Sequence, residues 1–263
     1  MMKEKLSTLG RKLSENKFLF SELVKRDFKK KYKRTYLGML WSVLSPLLTL
    51  LVMRVVFTEF FGRDMAHYTT YLFCGNIVFS FFNDATNGGM GSLMENSSIF
   101  SKINVPKYLF LFSKIVSSLI NFGLTFAVFL IFCAIDGVPL TPYFLTLIYP
   151  ILCLIIFNVG VGLILSALFV FFKDIQYLWS VFTMLLMYLS AIFYTVEDFS
   201  PFVQKLFLLN PVYVYIKYFR LAVLNAQAPS LQYHLLALGY ALLAFGIGAL
   251  IYKKCNHKFL YYI

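Results

Sequence analysis

Apolar positions along this chain fall into long blocks rather than short alternations. A helix needs about 20 mostly apolar residues to cross a hydrocarbon core. Runs of about that length or longer lie at 36–61, 108–135, 144–172, 175–194 and 233–252. Another starts at 68–82 and is expected to extend past Asp84. A further apolar stretch, 202–224, is broken by Asn210-Pro211 and carries Lys205, Lys217 and Arg220. It reads as re-entrant or interfacial helices, since non-helical backbone at membrane depth survives only where protein or a water-filled cavity covers it. The expected architecture is an all-α integral membrane protein. Six transmembrane helices occupy 36–252, an N-terminal amphipathic interfacial helix lies within 1–35, a broken extracellular hairpin joins helices five and six, and 253–263 form a tail.

Ahead of the first block, Phe20, Val24, Phe28, Tyr32 and Tyr36 recur at i, i+4, with Leu23 beside them. Lys25, Arg26, Lys29, Lys30, Lys33 and Arg34 take other faces. This pattern predicts a basic amphipathic helix lying among lipid headgroups; a charge cluster that only sets orientation is the plainer alternative. Composition supports a lipid-embedded chain. Of the 263 residues, 60% are hydrophobic and 14% charged, against about 45–50% and 25% in globular proteins, and mean hydropathy is +0.74. That excludes a soluble enzyme, a disordered chain and a secreted disulfide scaffold. The four cysteines share no close spacing and read as small buried hydrophobes.

Charge orients the chain. The net charge is +12, and residues 1–35 hold twelve of the 24 basic residues. Beside a membrane such an arm faces anionic lipid, at about 1 kcal/mol per basic residue, so no nucleic-acid partner is expected. With six spans, the arm, Lys102, Lys107, Lys173, Lys253, Lys254 and Lys258 fall on one side, and Arg63, Lys205, Lys217 and Arg220 on the other. The positive-inside rule then places both termini in the cytoplasm of a plasma membrane. The first apolar run starts too late and is too long for a cleavable signal peptide.

No phosphate-binding G-x-x-x-x-G-K-[ST] loop occurs, the three histidines stand apart, and the carboxylates are scattered. No catalytic residue, metal site or cofactor is expected on this chain. The stretch 93–106 does carry a signal. After Gly88, Gly89 and Gly91, the residues Leu93, Asn96, Phe100 and Ile103 fall at helical spacing, with Ile99 and Lys102 among them and Pro106 as a stop. Exposed apolar residues there would need a partner; 172–176, with Lys173 and Asp174, is a weaker second contact. Arg54 lies within the first apolar run, so it either snorkels to the surface or faces a cavity. Tyr188, Ser190, Phe193 and Tyr194 near the end of the fifth run, and Tyr213, Tyr215 and Tyr218 on the hairpin, are belt residues or sugar-stacking residues. Small residues at Gly160, Gly162 and Ser166, and at Ala241, Ala244 and Gly248, predict close helix packing.

The run Lys33-Arg34-Thr35-Tyr36-Leu37-Gly38-Met39-Leu40-Trp41, with Pro46 beyond it, resembles the first span of the membrane subunits of type 2 ABC exporters. The nearest branch moves undecaprenyl-linked polysaccharides: teichoic acids, O-antigens and capsules. The resemblance extends over almost the whole chain, through the stretch Leu93–Pro106, the Phe172-Lys173-Asp174 turn and the broken hairpin at Asn210-Pro211. It implies a homodimer, two separate ATPase subunits that bind ATP and magnesium, and an undecaprenyl-linked polysaccharide as cargo. It also implies that 93–106 is the coupling helix docked on an ATPase subunit, and it gives Arg54 a phosphate-bearing glycolipid to fork onto. A secondary transporter or channel, or a membrane enzyme acting on lipid-linked sugars, are the competing readings.

Overall fold

The computed structural model describes residues 16–33, 35–56 and 66–262. Arg34, the basic residues before Asn16, and Glu59, Arg63 and Asp64 lie outside them. Every regular element described is helical: α1 (Lys17–Tyr32), α2 (Trp41–Arg54), α3 (Tyr68–Glu95), α4 (Ser97–Phe100), α5 (Tyr108–Ile135), α6 (Ile148–Phe171), α7 (Ile175–Leu189), α8 (Pro201–Phe207), α9 (Pro211–Val223), α10 (Leu231–Cys255) and α11 (Phe259–Tyr262). Short 3-10 segments, Gly38–Leu40 and Pro142–Leu147, lead into α2 and α6.

Helix ends follow local chemistry. Gly137 takes the left-handed φ of 76° after α5, the Val138 N–H reaches back to the Cys133 carbonyl at 2.9 Å, and Pro139 stops continuation. Pro211 fills the first turn of α9, and Asn210 caps it by accepting from the Val212 and Tyr213 N–H groups.

Among the described residues, three helical stretches are long and apolar enough to cross a membrane: Tyr108–Ile135, Pro142–Phe171 and Leu231–Cys255. The pair α8–α9, bent by 105° at the Asn210-Pro211 break, would make a fourth if it counts as one span. Three of the six apolar runs of the sequence, 108–135, 144–172 and 233–252, thus form helices of spanning length, while the possible fourth falls on the broken stretch 202–224. The helix α3 has 28 residues, about 42 Å, but its polar positions make it less apolar than those. The helices α2 and α7 are apolar but only 14 and 15 residues long, about 22 Å against a core of about 30 Å.

The tightest packing joins α6 to α10. Ala237, Ala241, Gly248 and Tyr252 form one buried stripe on α10, while most of that helix is exposed. A Cβ on Gly160 would lie 2.3 Å from the Ala244 carbonyl carbon, and one on Gly248 would lie 2.4 Å from the Gly160 carbonyl oxygen. The predicted small-residue contact therefore brings the two backbones together. An aromatic core of Phe73, Phe82, Phe129, Phe157 and Tyr215 fills the space between α3, α5, α6 and α9. A second cluster joins Leu23 of α1, Leu93, Phe100, Phe110, Tyr252 and Phe259. The tail is thus part of the fold: Phe259 is fully buried, and the Lys107 ammonium lies over the rings of Phe100 and Phe259.

Candidate functional site

Three helices bring polar side chains together, from the first half of α2 and the middle of α3 and α5. On α2 these are Ser42, Ser45 and Thr49; on α3, Asn76, Ser80 and Asp84; on α5, Ser118, Asn121 and Thr125. Each set is spaced by three or four residues, which puts it on one helix face. The three faces meet around a groove of about 490 Å³, whose remaining walls include Trp41, Pro46, Ile77, Phe81 and Phe122. Ser45, Thr49 and Ser80 are exposed, so the groove opens to the outside of this protomer. Thr49 donates to the Ser45 carbonyl at 2.9 Å and Thr125 to the Asn121 carbonyl at 3.1 Å; Ser80 donates to Asn76 Oδ1 at 3.4 Å. Phe81 and Phe122, with centroids 4.8 Å apart, form an aromatic wall.

The groove continues into a second hollow of about 380 Å³, sharing Asp84, Ser118 and Asn121 with it and lined further by Asp27, Lys30, Glu95 and Lys114. There the chemistry is ionic. Asp27 is buried on α1; it accepts from Arg26 at 2.8 Å and from the Ser113 hydroxyl at 3.0 Å, and lies 3.5 Å from the Lys114 ammonium. Glu95 receives Lys30 and Lys114, both at 3.0 Å. Arg26 also donates to Asn96 Oδ1 at 2.7 Å, and Asn96 donates to the Ser92 carbonyl at 2.7 Å. Burial works to raise the Glu95 pKa, but the hydrogen bonds from Lys114 and Lys30 outweigh it and hold the carboxylate below its ordinary value. This network ties α1 to the end of α3 and the start of α5.

On α1 the structure places the basic residues on the outside: Lys25, Lys29, Lys30 and Lys33 are exposed, and Arg26 is partly so. The innermost side chains are Leu23 and Asp27, with Phe20, Val24 and Phe28 only half-buried. The inner face is therefore rotated by about one residue from the predicted stripe, because Asp27 is drawn inward by its cationic and hydroxyl partners.

The stretch 93–106 divides in two. Leu93, Asn96 and Phe100 are buried within this chain, and Ile99 is half-buried; Phe100 packs on Phe110. Lys102 and Ile103 are exposed. The amphipathic pattern thus serves the protein's own core first, since α4 is one turn long and turns its apolar side onto α5. Phe172, Lys173 and Asp174 are exposed between α6 and α7.

The side chains expected along a path lie elsewhere than the groove. Arg54 is exposed in the last turn of α2, two and a half turns from Ser45 and so on the opposite face. Ser190 is buried and bonded by Asn210 at 3.0 Å. Phe193 is buried, and its carbonyl accepts from the Tyr68 hydroxyl at 2.9 Å. Tyr194 is half-buried and donates to the Tyr188 carbonyl at 2.6 Å; the Tyr188 ring itself is exposed. Tyr213, Tyr215 and Tyr218 are buried, with Tyr215 bonded to the Ala237 carbonyl and Tyr218 to His234, both at 2.8 Å. Tyr215 and Tyr218 hold the hairpin, because a buried hydroxyl needs a partner and α10 supplies one, while the Tyr213 ring packs on Phe207.

Arg220, counted in the sequence only as an outer charge, is the hub of that hairpin. It is 5% exposed. Its guanidinium donates to the Ala191 and Ile192 carbonyls at 2.8 and 3.1 Å and sits 3.4 Å from the centre of the Tyr71 ring. Ala191 has a φ of 51°, a costly conformation for a residue with a Cβ, and the Arg220 bond holds it at the end of α7.

None of the groove's polar residues is among the expected path residues, yet the sequence carries a signal for them. Polar residues at 42, 45, 49, at 76, 80, 84 and at 118, 121, 125 keep helical period inside apolar runs. Polar residues that share one face of a membrane helix point to the bundle interior or a water-filled cavity.

These features define a polytopic helical membrane protein with a polar groove among its helices. Residues 19–224 match the family model described as "ABC-2 type transporter", and the chain belongs to that family. It is similar to the "O-antigen export system permease protein RfbA" of Myxococcus xanthus, with 28% identity over 210 residues, 78% of this chain and 79% of that protein. A protein of the same description from Klebsiella pneumoniae is 26% identical over 251 residues, 92% of this chain and 95% of its own. The "Polysialic acid transport protein KpsM" of Escherichia coli is 24% identical over 234 residues, 87% and 90% of the two chains.

Proposed function

We propose that this chain is the membrane permease subunit of an ATP-driven exporter carrying a lipid-linked cell-surface polysaccharide, of O-antigen, capsule or teichoic acid type, across the plasma membrane. Two observations support the reading: relatives of this chain are named as O-antigen export permeases, and a hydroxyl- and amide-lined groove runs between its helices. Hydroxyls and amides both donate and accept, as sugar hydroxyls require.

On this reading one protomer is half a conduit. The helices α2 and α7 leave apolar side chains exposed, among them Leu48, Leu51 and Val52, and Leu178, Val181 and Leu185. A second copy related by a two-fold axis would cover part of them and close the groove into a passage. The six-span topology is retained, with α2, α3 and α7 as the short or polar spans and α8–α9 as a broken outer hairpin. Domains 1–35, 36–252 and 253–263 follow the same division, with both termini cytoplasmic and the basic face of α1 on lipid headgroups. Two ATPase subunits bind ATP and magnesium and push on the exposed side of the 98–104 turn, at Lys102 and Ile103, and on Phe172, Lys173 and Asp174. The Asp27–Lys114–Glu95 network then passes the displacement to α1 and α5 together. An undecaprenyl carrier is the expected lipid. The chain does no chemistry itself; its contribution is differential contact in two states.

The test is reconstitution. Vesicles holding the permease and its ATPase subunit are expected to move lipid-linked glycan only with hydrolysable ATP, and vesicles with the permease alone to move none. Transport by the permease without any nucleotide-hydrolysing subunit would refute the proposal.

A further inference from the structure

The groove is a patterned surface whose chemistry restricts its cargo beyond "polysaccharide". We infer that it is built for a glycan whose repeating units carry no charge. This rests on the export reading above and narrows it. Family membership leaves the matter open, since one relative is named for O-antigen export and another for transport of polysialic acid, an acidic polymer.

The charge distribution decides. Above Asp84, the polar lining among the described residues is neutral on all three helices, for example Thr49, Asn76, Ser80 and Thr125. Among the described residues, charged side chains border the groove at one end, at Asp84 and in the ionic hollow beyond it. Arg54, the one described cation on α2, lies on the opposite face of that helix. A carboxylate or phosphodiester halfway along would leave bulk water without a cation to meet it, at a large cost in such surroundings. A second copy of the chain would bring the same neutral set from its described lining. Neutral sugars suit the site instead. Serine, threonine and asparagine exchange hydrogen bonds with ring hydroxyls, and the exposed Trp41 ring offers a flat apolar face to the C–H side of a pyranose. Many weak contacts of this kind hold a chain without fixing its register, as movement along the groove requires.

The experiment uses the permease with its ATPase subunit in lipid nanodiscs and reads ATPase stimulation. Two synthetic polyprenyl-pyrophosphate oligosaccharides of equal length are compared, one of neutral N-acetylhexosamine and hexose units, one with glucuronic acid at alternate positions. The neutral compound is expected to half-saturate at a concentration at least about tenfold lower. Equal or stronger response to the acidic compound overturns the inference and leaves the export reading standing; response to neither overturns both. A second arm places a cation at an exposed groove position, Ser80→Lys, with Thr49→Lys as the alternative should that complex fail to assemble. Either is expected to narrow the gap by improving the acidic response; an unchanged gap would show that the groove does not read the charge, and would overturn the inference.

Discussion

The α6–α10 crossing offers the sharpest test of the packing. A methyl group at Gly160 would meet the Ala244 carbonyl carbon and the Phe245 nitrogen at 2.3 Å, where ordinary contacts begin at 3.4 Å. Both obstacles are backbone atoms, so no rotamer change relieves them. The helices must part by about 1 Å, which forfeits up to about half of the dispersion energy of each facing contact along the seam. Overpacking of this kind costs about 1–3 kcal/mol. The higher helix propensity of alanine returns about 0.5–1 kcal/mol. Gly160→Ala is therefore expected to lose about 1 kcal/mol net, and Gly248→Ala a similar amount. Gly239 and Gly246 lie on the same α10 with nothing within 4 Å of a new Cβ, so Gly239→Ala and Gly246→Ala should be neutral or slightly stabilising. Reversible unfolding of the purified protein in mixed micelles, titrated with dodecyl sulfate, measures all four. If Gly160→Ala proves as stable as Gly246→Ala, the close backbone approach is wrong.

Other substitutions test the site. Arg220→Lys keeps the charge but loses the planar fork across the Ala191 and Ile192 carbonyls and the face on Tyr71; a loss of about 1–3 kcal/mol is expected in the same titration, and unchanged stability would remove Arg220 as the hairpin's hub. Ile103→Asp, at an exposed position, should leave folding intact while cutting ATP-driven glycan transport by the reconstituted complex at least about tenfold; Phe100→Asp, buried against Phe110, should instead destabilise the protein by about 3 kcal/mol or more. Normal transport by Ile103→Asp would exclude that surface from coupling. The Glu95 pKa is lowered on folding, so its stabilisation is present above the unfolded value of about 4.3 and is lost as pH falls through its lower folded value. Wild type and Glu95→Gln should differ by less than about 1 kcal/mol at pH 7, the carboxylate being partly exposed. They should converge as acid protonates Glu95; a gap that widens in acid would contradict the ion network.

By itself the sequence determined that this chain lives in lipid, is built of helices, and carries most of its net charge at one end. Those properties are local or additive. Apolar length sets which segments enter the bilayer, Pro211 and Gly137 set where helices stop or start, and the small residues at 160 and 248 announce where helices touch. Tertiary structure decided which side chains are exposed. Phe100 and Ile103 are three residues apart in one pattern, yet α5 covers the first and leaves the second exposed. Arg220 reads as a surface charge until the ends of α3 and α7 are folded around it. Asp27 is one acid among many bases until Ser113 and Lys114 arrive from 86 and 87 positions further along the chain. The groove needs three helices, distant in sequence, to turn their polar faces toward one another. Periodicity marks a face on each helix; only packing fixes what that face confronts.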